Sequence, residues 1–399
     1  MEQNTSTAHR LFFLDWLRIL AFALLVPYHV GMYYVSWDWH VKSAAASTAI
    51  EPLMQLSSPW RLSLLFFIAG AASQALLRKN KGGIGFVGQR SKQLLWPLLF
   101  GMFFIVPPQA YYEVVTKVAY AGSYLDFMQR YVQAYHGFCR GTDCLILPTW
   151  NHLWFLPYLW VYSMLGWALA RYAAAPLDAV AALLTRCPPR QLLMVPALPL
   201  IAARMLVASF PTTHNLTWDW YNHAQSLSIF LIGLLFARSS ALWGLLSRLR
   251  WPALGLALIA WVLIQSYNRA FADVDPPTAL RYAQRVLYGA MQWWAIAAAC
   301  GFARQHLNVD SAARRALTPA VFCVYILHQT VIVLLTRLLL PLQMPPLVEG
   351  LTLIALTFAI CGAAYLLARH VPGLRLFLGI NKPSSKTPQS RQFNPGLNR

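Results

Sequence analysis

An all-α integral membrane protein of about ten transmembrane helices, with both termini cytoplasmic, is the fold class this sequence predicts, and three observations carry it. Of 399 residues, 58% are hydrophobic and only 11% charged, with mean hydropathy +0.47. Apolar runs of about 20 residues, enough for a helix to cross a ~30 Å hydrocarbon core, recur from end to end. Lysine and arginine then sort by loop: if the N-terminus is inside, the links near 211–222 and 341–347 are outer and carry neither residue, whereas the inner links are rich in both. The formal charge of +19 is therefore topology, and no nucleic-acid partner is expected.

Spans are expected at roughly 11–36, 52–77, 93–113, 151–171, 191–210, 223–243, 251–271, 282–303, 317–340 and 348–369. The first run is too long for a cleaved signal, carries charge, and lacks a small-residue cleavage site, so it reads as a span. It holds Asp15, Arg18 and His29. An eleven-residue step returns a helix to within about 20° of its starting direction, so Arg18 and His29 share a face roughly 16 Å apart, with Asp15 close to that stripe. Ionisable groups at this depth cost about 2.5 kcal/mol or more and mark functional paths. Pro27 is expected to kink the helix just below His29. An Asp15–Arg18 pair at i, i+3 would be structural, and an anion entering from inside would be functional; spacing leaves both open.

The second span carries Glu51 at its outer mouth, Arg61 in its outer half, and the small residues Gly70-Ala71-Ala72-Ser73, whose ordinary role is close helix packing. The inner link that follows begins Arg78-Lys79, holds four glycines, and ends Arg90-Ser91-Lys92; it reads as a flexible basic loop compatible with phosphate as well as with topology. The outer segment 114–151 is long enough to cover part of a site, and its Cys139 and Cys144 are candidates for a disulfide. His152 and Trp154 open the fourth span, where an interfacial position is the commoner explanation. In the ninth, His328 and Gln329 form a polar element that needs partners on another helix or a ligand. Outer aromatics such as Trp37, Trp39, Trp150, Trp218, Trp220 and Tyr221 fit a membrane belt better than sugar stacking. Residues 1–10 read as a cytoplasmic N-terminus, 11–370 as one membrane domain, and 371–399, polar and Pro-rich after Ile380, as a disordered basic cytoplasmic tail. No metal-ligand, Walker or Gly-x-Ser-x-Gly pattern occurs, which leaves histidine as the natural general base for an enzyme of this composition.

Leu14-Asp15-Trp16-Leu17-Arg18, ten residues and then His29 resembles the opening helix of the membrane-bound acyltransferase family 3. Leu65-Phe66-Phe67-Ile68-Ala69-Gly70, Arg90-Ser91-Lys92 with Pro97, His152-Leu153-Trp154-Phe155-Leu156 and the Tyr325–Val333 stretch resemble its later motifs, the last two especially those of its glucan-acylating branch. The resemblance runs from about 11 to 370. It implies an O-acyltransferase of the bacterial inner membrane, with acyl-CoA as cytoplasmic co-substrate, no permanently bound cofactor, and a periplasmic glucan or other extracytoplasmic glycan as acceptor. Succinyl is one candidate acyl group, and glucan-synthesis proteins are candidate partners. By the same resemblance His29 is the catalytic histidine, Arg18 its partner arginine, and Arg90 and Lys92 the donor-side basic residues; from position in the spans, Asp15 joins the catalytic set, and Arg61, His152, Trp154, His328, Gln329 and Glu51 are the further candidates for contact with donor or acceptor. Lys92 and Gln93 depart from the family's more arginine-rich pattern. The rival reading is a multi-pass exporter of a small anionic metabolite along the same arginine-lined path. Against it, no paired broken helices recur in the two halves.

Overall fold

The computed structural model describes residues 11–80 and 82–380. The expected first span is two helices, α1 (Phe12–Ala23) and α2 (Leu25–Tyr34), broken at Leu24. The break lies one turn before Pro27 because the proline ring displaces the carbonyl four residues back, at Ala23, and has no N–H to offer it. After a loop, α3 (Glu51–Ser57) leads into α4 (Arg61–Lys79). The next helix, α5 (Gly85–Phe100), already contains Gly85, Gly88, Arg90 and Lys92. The expected flexible basic loop is thus only a short turn around Gly82 and Gly83, with Gly82 at φ +65°, where a glycine is needed.

The third span is bent. A π-helical turn (Gly101–Ile105) joins α5 to α6 (Pro107–Lys117) at 45°. Beyond α6 come α7 (Tyr124–Val132) and a hairpin of β1 (Cys139–Arg140) and β2 (Asp143–Cys144), whose register pairs Cys139 with Cys144. The bundle continues through α8 (Phe155–Tyr172), α9 (Ala174–Arg186), α10 (Ala197–Met205), α11 (Trp220–Phe236), α12 (Ser240–Ala270), α13 (Thr278–His306), α14 (Ala312–Leu317), α15 (Val321–Leu339), α16 (Pro346–Ala368) and α17 (Pro372–Phe377).

Among the described residues, eight helical segments are long and apolar enough to cross a membrane, nine with the bent pair counted as one span, against the ten expected. The expected sixth span is α11, whose 17 residues give a length of about 26 Å. Its expected end at 243 is corrected to Phe236. The cause is α12, which is continuous over 31 residues and absorbs the anticipated basic link with Arg248 and Arg250 into helix. At about 46 Å it outruns the hydrocarbon, so those arginines sit in its overhang. The expected disordered tail at 371–399 is corrected at its start, where Pro372–Phe377 form α17; its remainder beyond 380 and the segment 1–10 lie outside the described residues.

Lipid tails are as apolar as leucine, so helices in a bilayer associate through shape. Here α4 and α11 touch backbone to backbone: a Cβ on Gly70 would stand 2.0 Å from the Phe230 carbonyl oxygen, and one on Gly233 2.0 Å from that of Phe67. Around this contact Phe67, Phe236, Trp243 and Trp293 meet edge to face at centroid distances of 5.6 to 6.0 Å, fastening α12 and α13 to the same centre. The indoles of Trp293 and Trp294 donate to the carbonyls of Leu192 and Leu193, each at 2.8 Å. Gly233→Leu should therefore force α4 and α11 apart, at a cost of about 1–3 kcal/mol or more, and lower the melting temperature of the detergent-purified protein. Gly255→Ala, where a Cβ meets nothing within 4 Å, should not. Equal melting of the two variants would contradict this packing.

Candidate functional site

The α1–α2 break sets His29 on a short helix whose end is fixed by Lys42. Its ammonium donates to the carbonyls of Met32 (2.7 Å) and Val35 (2.5 Å), satisfying the orphan acceptors of the helix C-terminus. Partial burial pushes this lysine below its ordinary pKa. From α2, His29 Nδ1 lies 3.1 Å from His328 Nε2 on α15, and its ring stacks with Trp39 at 6.5 Å.

Hydrogen-bond partners fix the proton positions. His328 Nδ1 is 2.7 Å from the Tyr325 carbonyl oxygen, which can only accept, so Nδ1 carries the proton and Nε2 of the neutral ring accepts. His29 must then donate from Nδ1, which leaves the lone pair on its Nε2. A histidine in that tautomer is a base. The same logic applies to His152: Nε2 donates to the Ile326 carbonyl at 3.0 Å, and Nδ1 accepts from Gln109 at 3.3 Å. A further chain runs alongside. His40 Nδ1 meets the Glu113 carboxylate at 2.5 Å, Gln329 donates to His40 Nε2 at 2.7 Å and to Gln109 Oε1 at 3.1 Å, and Gln109 donates to Thr330 at 2.5 Å. Thr330 in turn donates to the Ile105 carbonyl at 2.8 Å. That acceptor is available because Gln109 N bonds Val106 O instead, a consequence of the π-turn and the prolines behind it.

Of these groups His29, His40, Glu113, His152, His328 and Gln329 wall a cavity of about 1090 Å³, large enough for a sizeable ligand. His29, Arg61, His152, Trp154, His328 and Gln329 line it, so the structure gathers six of the candidates from four separate helical segments. His152 is 8% exposed and Trp154 likewise; both are cavity walls, where the sequence favoured interfacial positions. Trp39 and Trp150 also line the cavity, while Trp218 and Trp220 are exposed and Tyr221 faces a smaller neighbouring pocket. Cys139 and Cys144 are joined in a disulfide, and residues of that hairpin form part of the rim.

The remaining candidates lie elsewhere. Asp15 accepts from Arg314 at 2.5 Å, and Arg18 donates to the Thr318 carbonyl at 3.3 Å, both at the end of α1 away from His29. The hydrogen bond from Arg314 also holds the Asp310 carboxyl below the usual range. Fourteen residues of helix put Asp15 about 21 Å from His29. Arg90 donates to Ser73 (3.2 Å) and Ser163 (3.3 Å), pinning α5 to α4 and α8, and Lys92 is exposed at that same end. Glu51 accepts from the Ser36 backbone at 3.1 Å and from the Ser36 hydroxyl; it braces the loop after α2 and does not line the cavity.

His40, Gln109, Glu113 and Tyr325 belong to the site and were not singled out from the sequence. Glu113 had a usable signal, as an acid at the end of an apolar span; His40 lies in the loop after α2 and offered none. The 210–219 loop over the cavity is held by Asp219, fully buried, which accepts from Thr213 N (3.1 Å), His214 N (3.0 Å), Tyr158 (2.8 Å) and Asn222 (2.9 Å). Asp219→Ala should strand these donors, at about 1–3 kcal/mol for such a loss, and release the loop to limited proteolysis. Protection equal to that of the unaltered protein would show the clamp to be dispensable.

Residues 11–366 match the family profile described as an acyltransferase domain. A stretch of 73 residues is 33% identical to the glucans biosynthesis protein C of Escherichia coli, in strain K12 and in its derivatives DH10B and MC4100/BW2952. The match spans 18% of this chain and 19% of that relative. No solved structure matches. With the profile covering nearly the whole chain, and the motif residues His29, His152 and His328 converging on one cavity of a membrane bundle, the protein belongs to acyltransferase family 3 and is a multi-pass membrane acyltransferase.

Proposed function

We propose that this enzyme transfers an acyl group, with succinyl as one candidate, from a cytoplasmic acyl-CoA to hydroxyls of a periplasmic glucan or another extracytoplasmic glycan, across the bacterial inner membrane. The observation that carries the reading is the tautomer of His29: a lone pair on Nε2, in a cavity wall beside the disulfide-bearing end of the bundle. His29 Nε2 takes the proton of the acceptor hydroxyl as its oxygen attacks the thioester carbon. The C–O bond forms, the C–S bond breaks, and the thiolate recovers the proton from His29 to leave as thiol. General-base assistance of this kind is worth about 10²–10⁴ in rate.

The donor enters from the basic end. Arg18, Arg90 and Lys92 sit there, and the phosphates of coenzyme A suit their charge. The thin pantetheine arm then covers the roughly 16 Å of helix between Arg18 and His29. Trp39, Trp150 and Trp154 offer flat faces to an acceptor sugar at the other end. The E. coli relative, a glucans biosynthesis protein by name, supports a glucan acceptor for this chain only through that short match.

The test is transfer from acetyl-CoA and succinyl-CoA to a β-glucan oligosaccharide by the full-length protein in lipid nanodiscs, read by glycan mass spectrometry. His29→Ala should lower the rate about 10³-fold or more with the melting temperature unchanged; a normal rate would sink the mechanism. His328→Ala should cost about 100-fold by freeing the wrong tautomer, whereas His328→Gln, whose amide oxygen can still accept from Nδ1, should recover part of that loss. Identical behaviour of the two His328 variants would deny it a positioning role.

A further inference from the structure

Arg61 is the first residue of α4 and lines the same cavity as His29. Its side chain is deeply placed, with the residue 6% exposed. The guanidinium carbon lies 3.0 Å from the centroid of the Tyr28 ring, one residue before His29, so the cation rests on a π face. Tyr28 offsets part of the charge through its ring face and a side-chain hydrogen bond. Nε and Nη1 are buried and have no hydrogen-bond partner among the described residues. Other arginines of the bundle are treated differently: Arg314 has Asp15 and Asp310, Arg238 has Asp178 and Gln74, and Arg90 has two serines. A buried cation with unused N–H groups is costly to keep unless something supplies the missing acceptor.

We infer that Arg61 is the anion site of the cavity, receiving an anionic oxygen of the bound ligand beside His29. The inference rests on the acyl-transfer reading and gives it a second group. That chemistry has two sources. As the acceptor oxygen bonds to the thioester carbon, the carbonyl electron pair moves onto oxygen, and the resulting oxyanion, before it collapses and expels the thiolate, is a fitting partner for preorganised donors. A carboxylate carried on the acyl group would accept a charge-assisted hydrogen bond from the same unused donors.

The probes are inorganic phosphate and succinate, titrated at constant ionic strength against the nanodisc-embedded full chain and followed by tryptophan fluorescence, since three tryptophans line the cavity. Unaltered protein should give a saturable signal that Arg61→Gln loses. Should that variant fold poorly, phenylglyoxal labelling of Arg61 in the unaltered chain, read by peptide mass spectrometry, should slow several-fold with either anion. In transfer assays, a fall in kcat of about 10²–10³ with unchanged KM for both acetyl-CoA and succinyl-CoA assigns the oxyanion. A KM increase confined to succinyl-CoA assigns the carboxylate. If the unaltered protein transfers neither group, the acyl-transfer reading fails while titration and labelling still decide on Arg61. The inference is overturned if labelling is indifferent to both anions and Arg61→Gln matches the unaltered protein throughout.

Discussion

Hydrocarbon offers no hydrogen bonds, and the architecture of the site follows from that. Each polar side chain set at membrane depth must find its partner on another part of the bundle. Thr330 reaches the Ile105 carbonyl across to the π-turn, His152 reaches the Ile326 carbonyl on α15, and Gln329 bridges His40 and Gln109. These bonds join the loop after α2, the bent third span, the start of α8 and the middle of α15. The cavity is their by-product: helices held apart by polar bridges cannot close the space between them as leucines would.

The other half of the bundle obeys the same constraint by the opposite means. Where α4 meets α11, side chains are dispensed with and glycines admit backbone contact; where α12 and α13 join them, edge-to-face aromatics fill the volume. The rigid, dry half anchors α4, which carries Arg61 at its first residue. Precision at the site thus depends on packing well away from it.

Much of this was legible in the sequence because a bilayer leaves few options. The order of the spans follows from apolar length, though ten were expected where eight or nine are found, and His29 and His328 stood out as ionisable residues in apolar runs. What was not legible lay in irregular backbone. The break at Leu24 is displaced by one turn from the proline that causes it, the glycines at 85 and 88 are helical, and α12 continues through residues that read as a basic link. Pairing across about 300 residues was equally hidden: Asp15 and Arg314, or His29 and His328, meet through the fold and not through spacing. His40 came from the loop after α2, where a histidine carries no energetic anomaly to betray it.

The pair of histidines ends on a backbone carbonyl. Tyr325 O accepts a hydrogen bond from His328 Nδ1 but cannot take up a proton, so the sequence His29, His328, Tyr325 is a closed siding and not a wire. Along this route a proton captured at His29 Nε2 can only return to the cavity it came from. The centre can lend and reclaim a proton within a single turnover, yet this route gives it no means to conduct one through the insulating bundle. A membrane that stores energy as a proton gradient can therefore hold such an enzyme without being short-circuited along that path.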